Sequence, residues 1–253
     1  FLFVYRLNAR RAARIVTISA NSKKDIVELL QVPEGKVEVV NLGVDSSYRR
    51  ASVDQILAVR RKYGISKDFL LAVVGRFIAR KNVTTLIASY SRLPPRLRSS
   101  YNLLILGDRD DPSFLPIAQM IRKLRLNDNV VVLQHVCRMD LPAIYSSASM
   151  LVNLCLHEGF GLPVLESMAC GTPVIASNTS SLPEVAGNAA VLVDPLDVEA
   201  VCVAVEKVLV DADLRNALVS RGVNRAEQFS WERCARDIAR VLRQVAETRR
   251  KKS

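Results

Sequence analysis

The chain has 253 residues, 49% of them hydrophobic, which is enough to bury a sizeable core and excludes a disordered segment. Thirty-six Lys and Arg against 25 Asp and Glu give a formal net charge of +11, so the expected partners are anionic: phosphates, nucleic acid or an acidic membrane surface. Aromatic residues are only 6% of the chain and no zinc-finger or RNA-binding signature is present, which argues against nucleic acid. The five cysteines are odd in number, scattered and without a C-x-x-C pair, so buried thiols in a reducing cytosol are expected rather than disulfides or zinc.

The chain opens on a short apolar run from Phe1 to Tyr5, followed by Arg6, Arg10, Arg11 and Arg14, and this reads as the end of a helix. The run is too short to span a bilayer and no signal cleavage site follows. Strands are expected at 14–18, 36–40, 69–74, 102–106, 130–133, 150–154, 173–176 and 190–193, where short β-branched runs occur. Helices are expected between them at 22–30, 53–63, 83–91, 116–124, 141–147 and 162–170, with Gly171 as a helix-ending glycine. The alternation predicts an α/β fold, a Rossmann-like doubly wound parallel sheet. From 198 onward the strands cease, and 198–210, 214–228 and 231–247 read as amphipathic helices that form a helical C-terminal tail. Asn41 to Asp45 reads as a linker, and Arg249, Arg250, Lys251 and Lys252 form a basic end. The expected division is 1–45, 46–230 and 231–253.

The densest chemistry lies at His157 to Glu166, directly after an expected strand. Gly159 and Gly161 permit a tight turn with exposed amides, and Pro163 fits a first helical turn, where its missing N–H costs nothing. With the helix dipole this forms an anion cradle suited to a diphosphate, flanked by Glu158 and Glu166, whose carboxylates accept hydrogen bonds from hydroxyls. A second strand-to-helix junction carries Gly75, Arg76 and Lys81, two cations at the edge where open α/β sheets bind ligands. Arg80, adjacent to Lys81, reads as a solvated surface charge. The same holds for the acidic turn of Asp108, Asp110 and Asp111, while the loop residue His157 reads as a neutral surface group.

Glu158 and Glu166 are eight apart, which resembles the E-x7-E signature of retaining glycosyltransferase family 4, with its GT-B fold of two Rossmann-like domains. The resemblance extends in order through Ile15 to Ser19, Ser22 to Asp25, Gly43 to Asp45, Gly75 to Lys81, Gly107 and Asp108, Asp140 to Tyr145, Cys170 to Pro173, and Ser181 to Val185. It implies that Arg76 and Lys81 grip the donor diphosphate and that Glu158 holds hydroxyls of the transferred sugar, as the catalytic set. It also implies that Glu166 binds the ribose, that the amides of Phe160, Gly161 and Leu162 complete the phosphate site beside Gly159 and Gly75, and that His135 and Val136 meet the base.

By the same resemblance the chain is the C-terminal, donor-binding portion of a GT-B enzyme. Residues 1–45 are then a remnant of the N-terminal acceptor domain, the rest of which is missing. The helix near Trp231 is the one that crosses back to that domain. The implied activity is transfer of a hexose, mannose first, to a glycan or lipid-linked acceptor. The donor is GDP-mannose or a UDP-sugar, with no metal and no cofactor. A non-catalytic donor-binding subunit awaiting a separate acceptor-domain partner is the alternative. The expected location is cytoplasmic and peripheral at the inner face of the membrane, in keeping with the +11 charge. Two departures stand out: Asn41, Leu42, Gly43, Val44 and Asp45 replace the family's Asn-Gly-Val-Asp, and His157 stands where an aromatic is common.

Overall fold

A computed structural model describes residues 2–250; Phe1, Lys251, Lys252 and Ser253, and with them the outer part of the basic end, lie outside the described residues. The chain divides into two compact units, one formed by residues up to Asp45 together with the chain from Gln228 onward, the other by Ser46–Glu227.

The first unit holds α1 (Leu2–Arg11), β1 (Ile15–Thr17), α2 (Ala20–Leu30) and β2 (Val37–Val39), with β1 and β2 pairing in parallel. Ser19 caps α2 by accepting from the backbone N–H of Ser22 at 3.0 Å. Ala9, Val32 and Val37 form its small core. The expected linker is not free: Val44 donates its N–H to the Phe229 carbonyl at 3.0 Å. Gly43 lies so close to Trp231 that a Cβ there would come within 2.2 Å of the Trp231 backbone nitrogen. A side chain at 43 is excluded by backbone rather than by a movable group, which gives that glycine a packing reason.

The second unit is built from α3 (Val53–Lys62), β3 (Asp68–Gly75), α4 (Val83–Arg92), α5 (Pro95–Ser100), β4 (Tyr101–Gly107), α6 (Phe114–Lys123), β5 (Val130–Leu133), α7 (Leu141–Ser147), β6 (Met150–Asn153), α8 (Leu162–Ala169), β7 (Val174–Ser177), α9 (Leu182–Ala186), β8 (Val191–Val193), α10 (Val198–Val210) and α11 (Ala212–Ala226); α12 (Trp231–Arg250) belongs to the first unit. All eight expected strands form, within one or two residues of their expected limits. The expectation missed α5 and α9, which have six and five residues and too few turns to show a helical period. Helix α6 begins two residues before its expected start. Asp111 accepts hydrogen bonds from the Ser113 N–H and hydroxyl and tightens that turn.

Six parallel strands lie in the order β5-β4-β3-β6-β7-β8. The chain lays β4 and β5 outward on one side of β3, then crosses back and lays β6, β7 and β8 on the other. The order therefore reverses between β3 and β6, and the loops leaving the C-terminal ends of these two neighbours open a crevice. Helices on the faces bury continuous apolar runs: Leu70, Leu103, Ile105, Met150, Leu151, Val174 and Ile175 are all fully buried. Each such side chain contributes about 1.5–3 kcal/mol by leaving water, so the crevice rests on a rigid floor. Among the described residues, no helix is long and apolar enough to cross a membrane.

Candidate functional site

The β3 exit is shaped by a left-handed residue. Gly75 takes φ +67, and a single 3-10 turn, Ala79–Lys81, ends at Asn82, which has φ +51 and caps α4. Asn82 is buried; its amide donates to the Pro195 carbonyl at 2.6 Å, and its Oδ1 accepts from the Thr85 hydroxyl at 2.8 Å. Asparagine tolerates this backbone because its short side chain bonds locally. The effect is to fix the direction in which the preceding Lys81 leaves the chain.

The β6 exit carries the glycine loop. Gly161 has φ +110 at the N-cap of α8, with Pro163 in the first turn, and a Cβ at 161 would meet Leu182 Cδ2 at 2.7 Å. The loop is clipped from the side by the β7 exit. The Ser181 hydroxyl lies 2.7 Å from the Glu158 carbonyl oxygen and 2.9 Å from that of Phe160, and the Ser180 hydroxyl donates to the Glu158 carbonyl at 2.8 Å while accepting from the Glu158 N–H at 3.1 Å.

These two exits meet. Lys81 Nζ lies 2.7 Å from Glu158 Oε2, with side-chain exposures of only 13% and 17%. Arg80 is exposed, as expected of a surface charge, but it is also paired: its guanidinium reaches the same Oε2 at 3.5 Å and the His157 carbonyl at 3.4 Å. Burial works against the Glu158 carboxylate. The Lys81 hydrogen bond and charge, the Cys155 thiol and Arg80 outweigh it and hold the group below the usual carboxylate range. Glu158 is therefore an ionised acceptor at neutral pH. Cys155 itself is pushed up to about 12 by burial, despite Lys81 nearby, so it is inert as a thiolate nucleophile.

Arg76 stands apart from that pair. Its Nε donates to Asp111 Oδ2 at 2.6 Å, and its side chain is 71% exposed. Asp111, expected as part of a solvated acidic turn, is instead held at about 2 by the Ser113 hydroxyl and N–H and by Arg76. Glu166, one turn into α8, accepts from the Tyr145 hydroxyl at 2.7 Å, and Tyr48 bonds to the same carboxylate. Burial, followed by the Glu166 charge, raises Tyr145 well above the ordinary phenol value, so its hydroxyl stays protonated as the donor. Gly75, His135 and Val136 line one hollow of about 320 Å³ with Asp108 and Gln134; His135 has φ +55.

The singled-out residues thus lie in four clusters: Lys81 with Glu158 at the switch point, where the loop of Gly159, Phe160, Gly161 and Leu162 follows; Glu166 with Tyr145; Arg76 with Asp111; and Gly75, His135 and Val136 around the hollow. Sequence reasoning gave no role to Arg80, Asn82, Asp111, Tyr145, Ser180 or Ser181. Arg80, Tyr145 and Ser181 were signalled only as positions within segments that carry the family resemblance. Of the five cysteines, all free, Cys137 is exposed, contrary to the expectation of buried thiols. Among the described residues, no group of three or more His, Cys, Asp or Glu stands close enough to hold a metal ion.

Comparison with known proteins agrees with this architecture. The family Glycosyl transferases group 1 matches residues 56–225. The O-antigen chain mannosyltransferase B of Escherichia coli is 35% identical over 226 residues, covering 88% of this chain and 58% of that protein, so the chain spans little more than half of this relative. Among solved structures, sucrose-phosphate synthase from Thermosynechococcus elongatus superposes with a TM-score of 0.84 at 25% identity, over 98% of this chain and 62% of that one. HepE of Anabaena, solved in complex with UDP and glucose, superposes with a TM-score of 0.86 at 21% identity, over 96% of this chain and 66% of that one. A family match over residues 56–225, carried on a parallel sheet whose strand order reverses beside an ionised carboxylate and a half-buried lysine, makes this chain a member of the glycosyl transferases group 1 family.

Proposed function

We propose that Ser46–Glu227 is the donor-binding domain of a retaining glycosyltransferase of family 4, and that the protein transfers a hexose from a nucleotide diphosphate sugar to a glycan or lipid-linked acceptor. The Lys81–Glu158 pair at the switch point carries this reading, because it sets a fixed cation and an ionised acceptor side by side at the mouth of α8. Lys81 and the amides of Phe160, Gly161 and Leu162 hold the diphosphate, and Glu158 accepts from sugar hydroxyls. Glu166 accepts from the ribose hydroxyls in the geometry Tyr145 sets, and the hollow at Gly75, His135 and Val136 takes the base. Arg76 joins the diphosphate by exchanging Asp111 for a phosphate oxygen, a swap its exposure permits.

Transfer breaks the bond from the sugar C1 to the phosphate oxygen and forms one to the acceptor oxygen on the same face. The acceptor proton passes to the leaving phosphate. Lys81 and Arg76 act where that charge develops, and loss of one such donor costs about 3 kcal/mol in the barrier. No metal is needed in this scheme. GDP-mannose is the donor we favour, since the relative with the highest identity quoted above is named a mannosyltransferase; UDP-glucose is the competitor, as HepE was solved with UDP and glucose.

A thermal-shift panel of GDP-mannose, UDP-glucose and UDP-N-acetylglucosamine tests this directly. The correct donor at 100 times its dissociation constant stabilises by about 2.7 kcal/mol. The Lys81→Ala variant should lose that shift. Equal, negligible shifts for all three would overturn the reading.

A further inference from the structure

The exit of β7 carries three hydroxyls in a row, Thr179, Ser180 and Ser181, and all three lie against carbonyls of the segment from Cys155 to Phe160. Thr179 makes long contacts, 3.4 Å to the Leu156 oxygen and 3.5 Å to that of Cys155, whereas the two serines come within 2.7–2.9 Å of theirs. Ser180 takes φ +59, a left-handed backbone that disfavours any residue with a Cβ. From that conformation its single hydroxyl meets both backbone polar groups of Glu158, accepting from the N–H at 3.1 Å and donating to the carbonyl at 2.8 Å.

This hydroxyl run is itself anchored at both ends. The Asn178 N–H donates to the Val193 carbonyl at 2.8 Å, and beyond the serines the Arg225 guanidinium ties the Glu184 and Val185 carbonyls of α9 at 2.6 and 2.9 Å. On the opposite flank the Leu156 N–H donates to the Arg80 carbonyl at 2.8 Å, so the segment is held from the β3 side as well. A trans peptide sets its C=O and the following N–H on opposite sides, and the described residues contain no cis peptide. Ser181, fully buried, holds the Phe160 carbonyl, which turns the Gly161 N–H away from the β7 exit at the N-cap of α8, where the helix dipole adds positive charge.

We infer that Ser180 and Ser181 are positioning residues that preform the diphosphate cradle of the glycine loop, without touching the ligand themselves. Ser180 fixes the backbone from which Glu158 and the loop depart, and Ser181 aims the Gly161 amide. Donors held in place before the ligand arrives cost no reorganisation on binding, so the strained backbone of Ser180 is repaid in affinity for the diphosphate. The inference rests on the donor-binding reading of the crevice.

Isothermal titration of the 253-residue chain and of its S180G, S180A and S181A variants with GDP, UDP and the matching monophosphates tests this, beside the melting temperature of each. Each variant should bind whichever diphosphate the unaltered chain binds about tenfold more weakly, the worth of one misaimed hydrogen bond to a charged group, and should bind the monophosphate with less than about threefold change. Melting temperatures separate aim from stability. S180G removes the hydroxyl and relieves the left-handed strain, so it should melt above S180A, which removes the hydroxyl alone. Both should nevertheless lose the same diphosphate affinity. Affinity that follows melting temperature, equal losses for monophosphate and diphosphate, or variants that bind like the unaltered chain would overturn the inference and leave the donor-binding reading standing. An unaltered chain that binds neither diphosphate overturns the donor-binding reading, and this inference with it.

Discussion

Glu158 shows how a single side chain inherits its properties from residues far away in sequence. Its carboxylate is more than half shielded from water, yet stays ionised because Lys81, Cys155 and Arg80 converge on it. Replacing Lys81 by Met removes the nearer cation while leaving the desolvation, so the Glu158 pKa should rise, as followed by carboxyl carbon shifts. Stability should fall by about 2 kcal/mol, less than for a fully buried pair because Arg80 remains and water still reaches the site. The sign of the pH effect follows from the depressed value: the stabilisation is complete above the unfolded-state value of 4.5 and is lost as pH falls through the lower folded value. Asp111 behaves alike in a window that runs from 3.8 down to about 2. The difference in melting temperature between the unaltered chain and Asp111→Asn should therefore shrink across that acid range and be constant at neutral pH. A difference that grows on acidification would contradict the Arg76–Asp111 pairing.

At the level of elements, the site depends on how three strand exits are turned. Gly161 cannot accept a side chain on two counts, a φ of +110 and a Leu182 methyl 2.7 Å from where a Cβ would sit. Gly161→Ala should cost about 1–3 kcal/mol in denaturant unfolding. Shortening Leu182 in the same chain should recover only the steric share, since the backbone strain persists. Ser181→Ala deletes the clip between the β7 exit and the glycine loop and should cost about 1 kcal/mol, because the Phe160 carbonyl loses this donor while the Ser180 hydroxyl still serves the Glu158 carbonyl. Its signature is a faster amide exchange confined to residues near Glu158. Asn82→Gly keeps the left-handed backbone but loses the bonds to Pro195 and Thr85, so it should loosen Lys81 and weaken donor binding more than Asn82→Ala alters secondary structure.

The whole molecule carries +11, a field that draws anionic ligands inward. Association rates of a nucleotide diphosphate sugar should consequently fall as ionic strength rises, with dissociation rates changing less, because exposed charges are screened and the 13%-exposed Lys81 is not. Stopped-flow binding across a salt series checks this; rates indifferent to salt would place the attraction at the contact itself.

Much of this protein was legible along the chain. Apolar alternation with glycine and proline stops is local chemistry, so the eight strands, the longer helices and the loop of Gly159, Phe160 and Gly161 follow from nearest neighbours in sequence. The E-x7-E spacing likewise lies on one strand-loop-helix unit. Short helices such as α9 lacked the turns that make a period visible. What the linear order does not contain is the reversal of strand order between β3 and β6. That reversal, set by which apolar faces pack together, brings Lys81 to Glu158 across 77 positions and gives Arg80 a partner, while the pairing of β3 with β4 brings Arg76 to Asp111. Ion pairing and the resulting pKa values depend on distances of a few ångströms through shielded surroundings, and only the packed sheet determines those distances.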